Sequence, residues 1–139
     1  WPEQIWRKYA EEKDFFVKNP ENKISLDCLN EMVLNAMANL PDTIEYMNKL
    51  ENEQVFRFCA IPQIMAIATL SKLYNNADTF KGVVKIERSL TLEIFSAIKN
   101  MNDFEFYYNK FMNEMSSKNL ENSIHFEAFN SLTNNIKFN

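Results

Sequence analysis

Glycine occurs once in 139 residues and proline four times. Sandwiches and barrels need many tight turns, and glycine usually supplies their positive-φ positions. One glycine therefore argues against an all-β fold. It also removes the glycine-rich phosphate loops of P-loop and dinucleotide-binding folds. The single histidine, His125, leaves little room for Ser-His-Asp, Cys-His or His-rich zinc chemistry. The two cysteines, Cys28 and Cys59, stand 31 positions apart with no CxxC partner, so reduced intracellular thiols are the expectation. No N-x-[ST] sequon is present, and neither a signal peptide nor a transit segment is recognisable. The longest uncharged run, Phe58 to Ser71, has 14 residues. A membrane-spanning helix needs ~20, so this run reads as a buried helix and the chain as having no transmembrane span.

Charge of one sign is also scarce. A net charge of −4 and a pI near 5.1 give no pull toward nucleic acid or an anionic membrane. What is abundant is apolar: 46% of residues are hydrophobic and 12 are phenylalanine. That composition can fill one core, and the length suits one domain.

The apolar residues recur with a helical period, which predicts an all-α helical bundle over residues 1–139. A first helix is expected over 2–17, with Pro2 at its first position, ended by Asn19-Pro20. Leu26, Leu29, Met32, Val33, Ala36, Met37 and Leu40 form a stripe, with Ser25 a candidate cap and Pro41 a break. A short helix follows around Ile44, Met47 and Leu50. Residues 53–74 are apolar on every side, the mark of a helix surrounded by others, with Pro62 in the middle. A long helix starts near Ser89 and runs past a dent at Asn102-Asp103. A polar linker is expected over 116–121 and a last helix over 122–135. No internal repeat is visible.

Three groups carry candidate chemistry. Asp27 and Glu31 are spaced as a metal pair could be, and Asp42/Glu45 and Asp103/Glu105 more loosely. None completes a magnesium-holding cluster, and a solvated helix surface accounts for them. Phe58, Cys59, Pro62 and Gln63 share about 140° of one helix face. Phe58 can offer its ring to a carbocation. Pro62 frees a carbonyl, and Gln63 brings a lone amide to an apolar strip. This suits a hydrocarbon pocket, or alternatively a core helix with one hydrogen-bonded glutamine. Lys81, Lys85 and Arg88, with Asn75, Asn76 and Gly82, form either a phosphate-holding corner or an exposed basic loop.

The run Phe58-Cys59-Ala60-Ile61-Pro62-Gln63-Ile64-Met65-Ala66-Ile67-Ala68-Thr69-Leu70, followed by Tyr74-Asn75-Asn76 and Phe80-Lys81-Gly82-Val83-Val84-Lys85-Ile86, closely resembles the eukaryotic squalene synthases. So do Trp1-Pro2-Glu3-Gln4-Ile5-Trp6 with Tyr9, and Cys28-Leu29-Asn30-Glu31-Met32-Val33 with Asn35-Ala36. The resemblance is clear over 1–90 and only a helical pattern beyond. It implies a partial isoprenoid synthase fold. It further implies head-to-head joining of two farnesyl diphosphates through presqualene diphosphate, then reduction with NADPH to squalene. By resemblance Phe58, Cys59, Pro62 and Gln63 line the substrate pocket, and Phe58 stabilises the rearranging cyclopropylcarbinyl cation. Lys85 matches the first member of a basic pair that helps hold the dinucleotide.

The sequence departs from that family in three ways. The two aspartate-rich DxxED-type motifs that bind magnesium and diphosphate are missing, so this chain resembles the C-terminal part alone. Its Mg²⁺ would come only through an N-terminal half, and no residue here is assigned to metal. Position 87 is Glu where the family has Arg, leaving Arg88 one residue on as a substitute. The family's C-terminal membrane anchor is also missing, although the resemblance implies association with the endoplasmic reticulum membrane. Two functions compete. One is an enzyme part that contributes pocket wall and reductant site, working with a missing half or another protein chain. The other is a non-catalytic structural subunit of a larger assembly. Turnover by this chain alone is not expected.

Overall fold

The computed structural model describes residues 1–138. Among them there are helices and turns and no strand. The order is α1 (Glu3–Trp6), α2 (Asp14–Lys18), α3 (Lys23–Met37), α4 (Leu40–Met47), α5 (Glu53–Leu73), a 3₁₀ turn (Ala77–Phe80), α6 (Arg88–Ala97), α7 (Met101–Lys118) and α8 (Phe126–Asn134).

The central pair is α5 against α7, with α6, α3 and α4 around α5. Phe56, Ala60, Ile64, Ile67 and Ala68 of α5 meet Phe104, Tyr108, Phe111, Met112 and Met115 of α7 in one core. This core also takes Met37, Ile44, Met47 and Ile94. A second, smaller cluster joins Trp6, Phe16, Cys28, Leu29 and Phe80. It ties the N-terminal turns to α3 and to the 3₁₀ turn. Each fully buried aliphatic or aromatic side chain contributes about 1.5–3 kcal/mol, so the α5–α7 seam dominates.

Tertiary contacts moved several boundaries. The expected helix over 2–17 is interrupted at 7–13. Lys8 and Tyr9 close with tight bonds to the carbonyls of Ile5 and Trp6, and the Tyr9 hydroxyl turns to Glu31 on α3 at 2.6 Å. Asn22, not Ser25, caps α3 through Ile24 N–H. Ser25 is buried in the first turns and donates to the Asn19 carbonyl. Helix α3 ends at Met37 of its own accord, while Pro41 sits in the opening turn of α4, where a missing N–H costs nothing. The long helix expected from Ser89 is two helices. Asn100 and Asp103 form a capping box that starts α7 afresh. The expected linker over 116–121 begins only after Lys118, and the last helix opens at Phe126.

Helix α5 is continuous through Pro62. By length and composition it could cross a membrane, alone in this among the described residues. Its Phe56, Ala60, Ile64, Ile67 and Ala68 are buried against other helices, so it serves as the bundle's central helix. It is not covered all round, however. Val55, Phe58 and Pro62 face outward.

Candidate functional site

The open face of α5 follows from helix spacing. Phe58 and Pro62 lie one turn apart on the side that no other helix covers. Phe58 is 81% exposed, the largest exposure of a phenylalanine in the chain. Together with Gln54, Arg57, Ile61 and Phe95 these two residues line a groove of ≈ 320 Å³ between α5 and α6. Cys59 and Gln63 lie on the flank of that strip, half-buried, and do not line the groove. Cys59 packs against the main core. Gln63 makes no hydrogen bond among the described residues, so the alternative of a satisfied core glutamine does not hold. Pro62 lacks the N–H that would bond the Phe58 carbonyl in a regular helix.

Phe95 was not legible as a groove residue. It lies off the buried stripe of α6, whose Ile94 is fully buried. A large apolar residue displaced from its helix's own stripe was the available signal. Arg57 fixes it: the guanidinium donates to the Phe95 carbonyl at 3.0 Å and lies 6.0 Å from the ring centroid.

The expected phosphate corner is only partly assembled. Lys81 is engaged by Glu21 at 2.7 Å and by Asp78 at 3.6 Å. The Asn75 amide donates to the Lys118 carbonyl, and Asn76 caps the 3₁₀ turn. Asn75 holds the positive φ of 50° that ends the α5 turn, whereas the space around a Cβ at Gly82 is empty. Lys85 and Arg88 are different. Both are exposed and neither has a carboxylate partner among the described residues. Glu87 stands between them at the N-cap of α6, exposed, and its side chain makes no capping bond. Two exposed cations thus flank an exposed carboxylate, which repels any anion placed between them.

The carboxylates on α3 are not a solvated surface. Asp27 is buried and is bonded by Lys23 at 2.7 Å. Glu31 accepts from Lys8 and from the Tyr9 hydroxyl. Burial pulls the Glu31 carboxyl up, but those two bonds and the Lys8 charge outweigh it and leave it below the usual range. The same burial, with the Glu31 bond, pushes the Tyr9 phenol up. His125 Nε2 donates to the Asp27 carbonyl at 2.9 Å and lies 3.2 Å from Tyr9 Oη. This network pins the 119–125 turn to α3. Among the described residues no group of three or more His, Cys, Asp or Glu side chains could hold a metal ion.

Comparison with known proteins decides the ancestry. A family model described as "Squalene/phytoene synthase" matches residues 1–90. The chain belongs to the squalene/phytoene synthase family. Squalene synthase from Rattus norvegicus is 48% identical over 102 residues, which is 73% of this chain and 24% of that protein. Squalene synthase 1 from Arabidopsis thaliana is 47% identical over 103 residues, 74% of this chain and 25% of that protein. The chain thus spans about a quarter of the curated relatives it matches. A solved structure described as "The complex structure of TcSQS with ligand, E5700" superposes with a TM-score of 0.91 at 31% identity, covering 96% of this chain and 39% of that one. The superposition reaches beyond residue 90, so α6 to α8 share the family's isoprenoid synthase fold although their sequence resemblance is weak.

Proposed function

We propose that this chain supplies one wall of the prenyl pocket, and part of the reductant site, of a squalene synthase-type enzyme. The complete protein would join two farnesyl diphosphates head to head through presqualene diphosphate and reduce that intermediate to squalene. The observation that carries this reading is the uncovered apolar face of α5, with Phe58 81% exposed over the groove in a segment that matches the family. On this reading Phe58 presents its ring to the rearranging cation, where a ring face is worth ~0.5–2 kcal/mol or more once water is excluded. Pro62 shapes the strip, and Cys59 and Gln63 border it. Lys85 and Arg88 hold dinucleotide phosphates. The reductant, NADPH as the family resemblance implies, supplies hydride when bound, and Glu87 weakens its hold. Magnesium and the diphosphate groups belong to the part of the fold that carries the aspartate-rich motifs, on the same or another chain. The resemblance also implies a place at the endoplasmic reticulum membrane for the complete protein.

The test uses the full-length protein with farnesyl diphosphate and NADPH. Phe58→Ala is expected to lower squalene output by roughly twofold to thirtyfold, with presqualene diphosphate accumulating. Glu87→Arg is expected to tighten NADPH several-fold in a titration, because a repelling carboxylate becomes a bidentate phosphate donor. Unchanged output from the Phe58 variant would remove α5 from the chemistry, and unchanged affinity would remove Glu87 from the cofactor site.

A further inference from the structure

The groove holds more aromatic surface than the residues named so far. Phe58 and Phe95 are both exposed, at 81% and 60%, and they line the groove from different helices. Ile61, Pro62, Gln54 and Arg57 complete it. Its one charged lining residue besides the apolar set is Arg57, and that guanidinium is engaged with the carbonyl and the ring of Phe95. A cation at the C-terminal end of α6 is well placed electrostatically, so the Arg57 bond fixes both the last turn of α6 and the ring that projects from it.

The volume of ≈ 320 Å³ falls in the range of small-molecule clefts, about 300–1,000 Å³. A groove formed by six residues is far smaller than a standard protein interface, which uses about 20–30 residues a side. Shape and apolarity therefore favour a hydrocarbon ligand over a protein partner. We infer that Phe95 is the second aromatic wall of the prenyl groove, limiting the length of chain it accepts, and that Arg57 is a positioning residue that holds Phe95 there. This rests on the reading of the α5 face as a prenyl wall. Phe95 itself lies beyond residue 90, where the family-model match ends.

The experiment measures binding of two non-hydrolysable probes, farnesyl and geranylgeranyl thiolodiphosphate, to the full-length protein with magnesium present. Variants are Phe58→Ala, Phe95→Ala, Phe95→Trp and Arg57→Ala, each checked by thermal melting. Phe95→Ala is expected to weaken the C15 probe and favour the C20 probe, shifting their ratio roughly tenfold, with melting unchanged because the ring is exposed. Phe95→Trp shifts the ratio the other way. Arg57→Ala reproduces part of the Phe95→Ala shift, and adding it to Phe95→Ala changes nothing more. If Phe58→Ala weakens both probes but the Phe95 variants leave the ratio fixed, the inference about Phe95 fails and the prenyl-wall reading stands. If no variant changes binding, both fail. If Phe95→Ala weakens the two probes equally and lowers the melting temperature, Phe95 is a packing residue and the inference is overturned.

Discussion

Glu31 shows how a single side chain changes meaning once its partners are known. On the sequence it is one of two carboxylates a helical turn apart. In the fold it takes a proton donor from Tyr9 and a cation from Lys8, and His125 stands behind Tyr9. Its carboxyl is held below the ordinary value of 4.5, the Lys8 and Tyr9 bonds outweighing burial. A depressed carboxyl stabilises the fold above its unfolded value, and that contribution is lost as pH falls through the folded value. Glu31→Gln is therefore expected to destabilise by about 1–2 kcal/mol at neutral pH, the range for a partly buried hydrogen-bonded charge. The difference between variant and parent should close below the ordinary carboxyl range. Melting curves of both proteins across pH 3 to 8 check this. A gap that persists undiminished at pH 3 would assign the loss to packing instead.

Between residues and fold lie the helix boundaries, and there the physics is a contest between pattern and cap. Ile94, Ile98, Met101 and Phe104 keep a spacing that one long helix would also keep, so periodicity alone joined α6 to α7. What separates them is Asn100, whose side chain accepts from Asp103 N–H while Asp103 accepts from Lys99 and Asn100. Removing such a cap costs ~1 kcal/mol. Asn100→Ala is thus expected to lower the melting temperature by a few degrees, with helicity measured by circular dichroism held or slightly raised as α6 and α7 tend to fuse. A silent substitution would mean that Ile98 and Phe104, both fully buried, fix the break by packing. The same contest explains how much could be read in advance. The all-α class, the presence of α3 and α4, the extent of α5, and the shared face of Phe58 and Pro62 rest on local spacing and were legible. The 7–13 interruption depends on Tyr9 reaching Glu31 and His125, which are distant in sequence. Phe95 meets the groove beside Arg57, 38 positions away, which donates to its carbonyl. No window of neighbouring residues contains either fact.

At the level of the whole molecule, a closed apolar seam stands beside an open apolar face. The α5–α7 seam is closed, with Phe104, Phe111 and Met115 shut away from solvent. On the outer faces of α5 and α6, Val55, Phe58, Leu92 and Phe95 stand open. A soluble monomer rarely leaves apolar patches of more than a few hundred Å² uncovered, and this chain corresponds to 39% of the solved relative it superposes on. The 139 residues expressed alone are therefore expected to bind an apolar-sensitive dye and to self-associate. They should give no squalene from farnesyl diphosphate, since no described carboxylate cluster can hold the magnesium that diphosphate ionisation requires. Replacing Phe58 and Phe95 together by Ser should cut the dye signal by more than about half, because those two rings are the largest exposed apolar groups on those faces. Sedimentation and dye titration of both chains decide it. A parent chain that is monodisperse and dye-silent would mean that α5 and α6 close over their own groove, and the open wall on which the catalytic reading depends would not exist in solution.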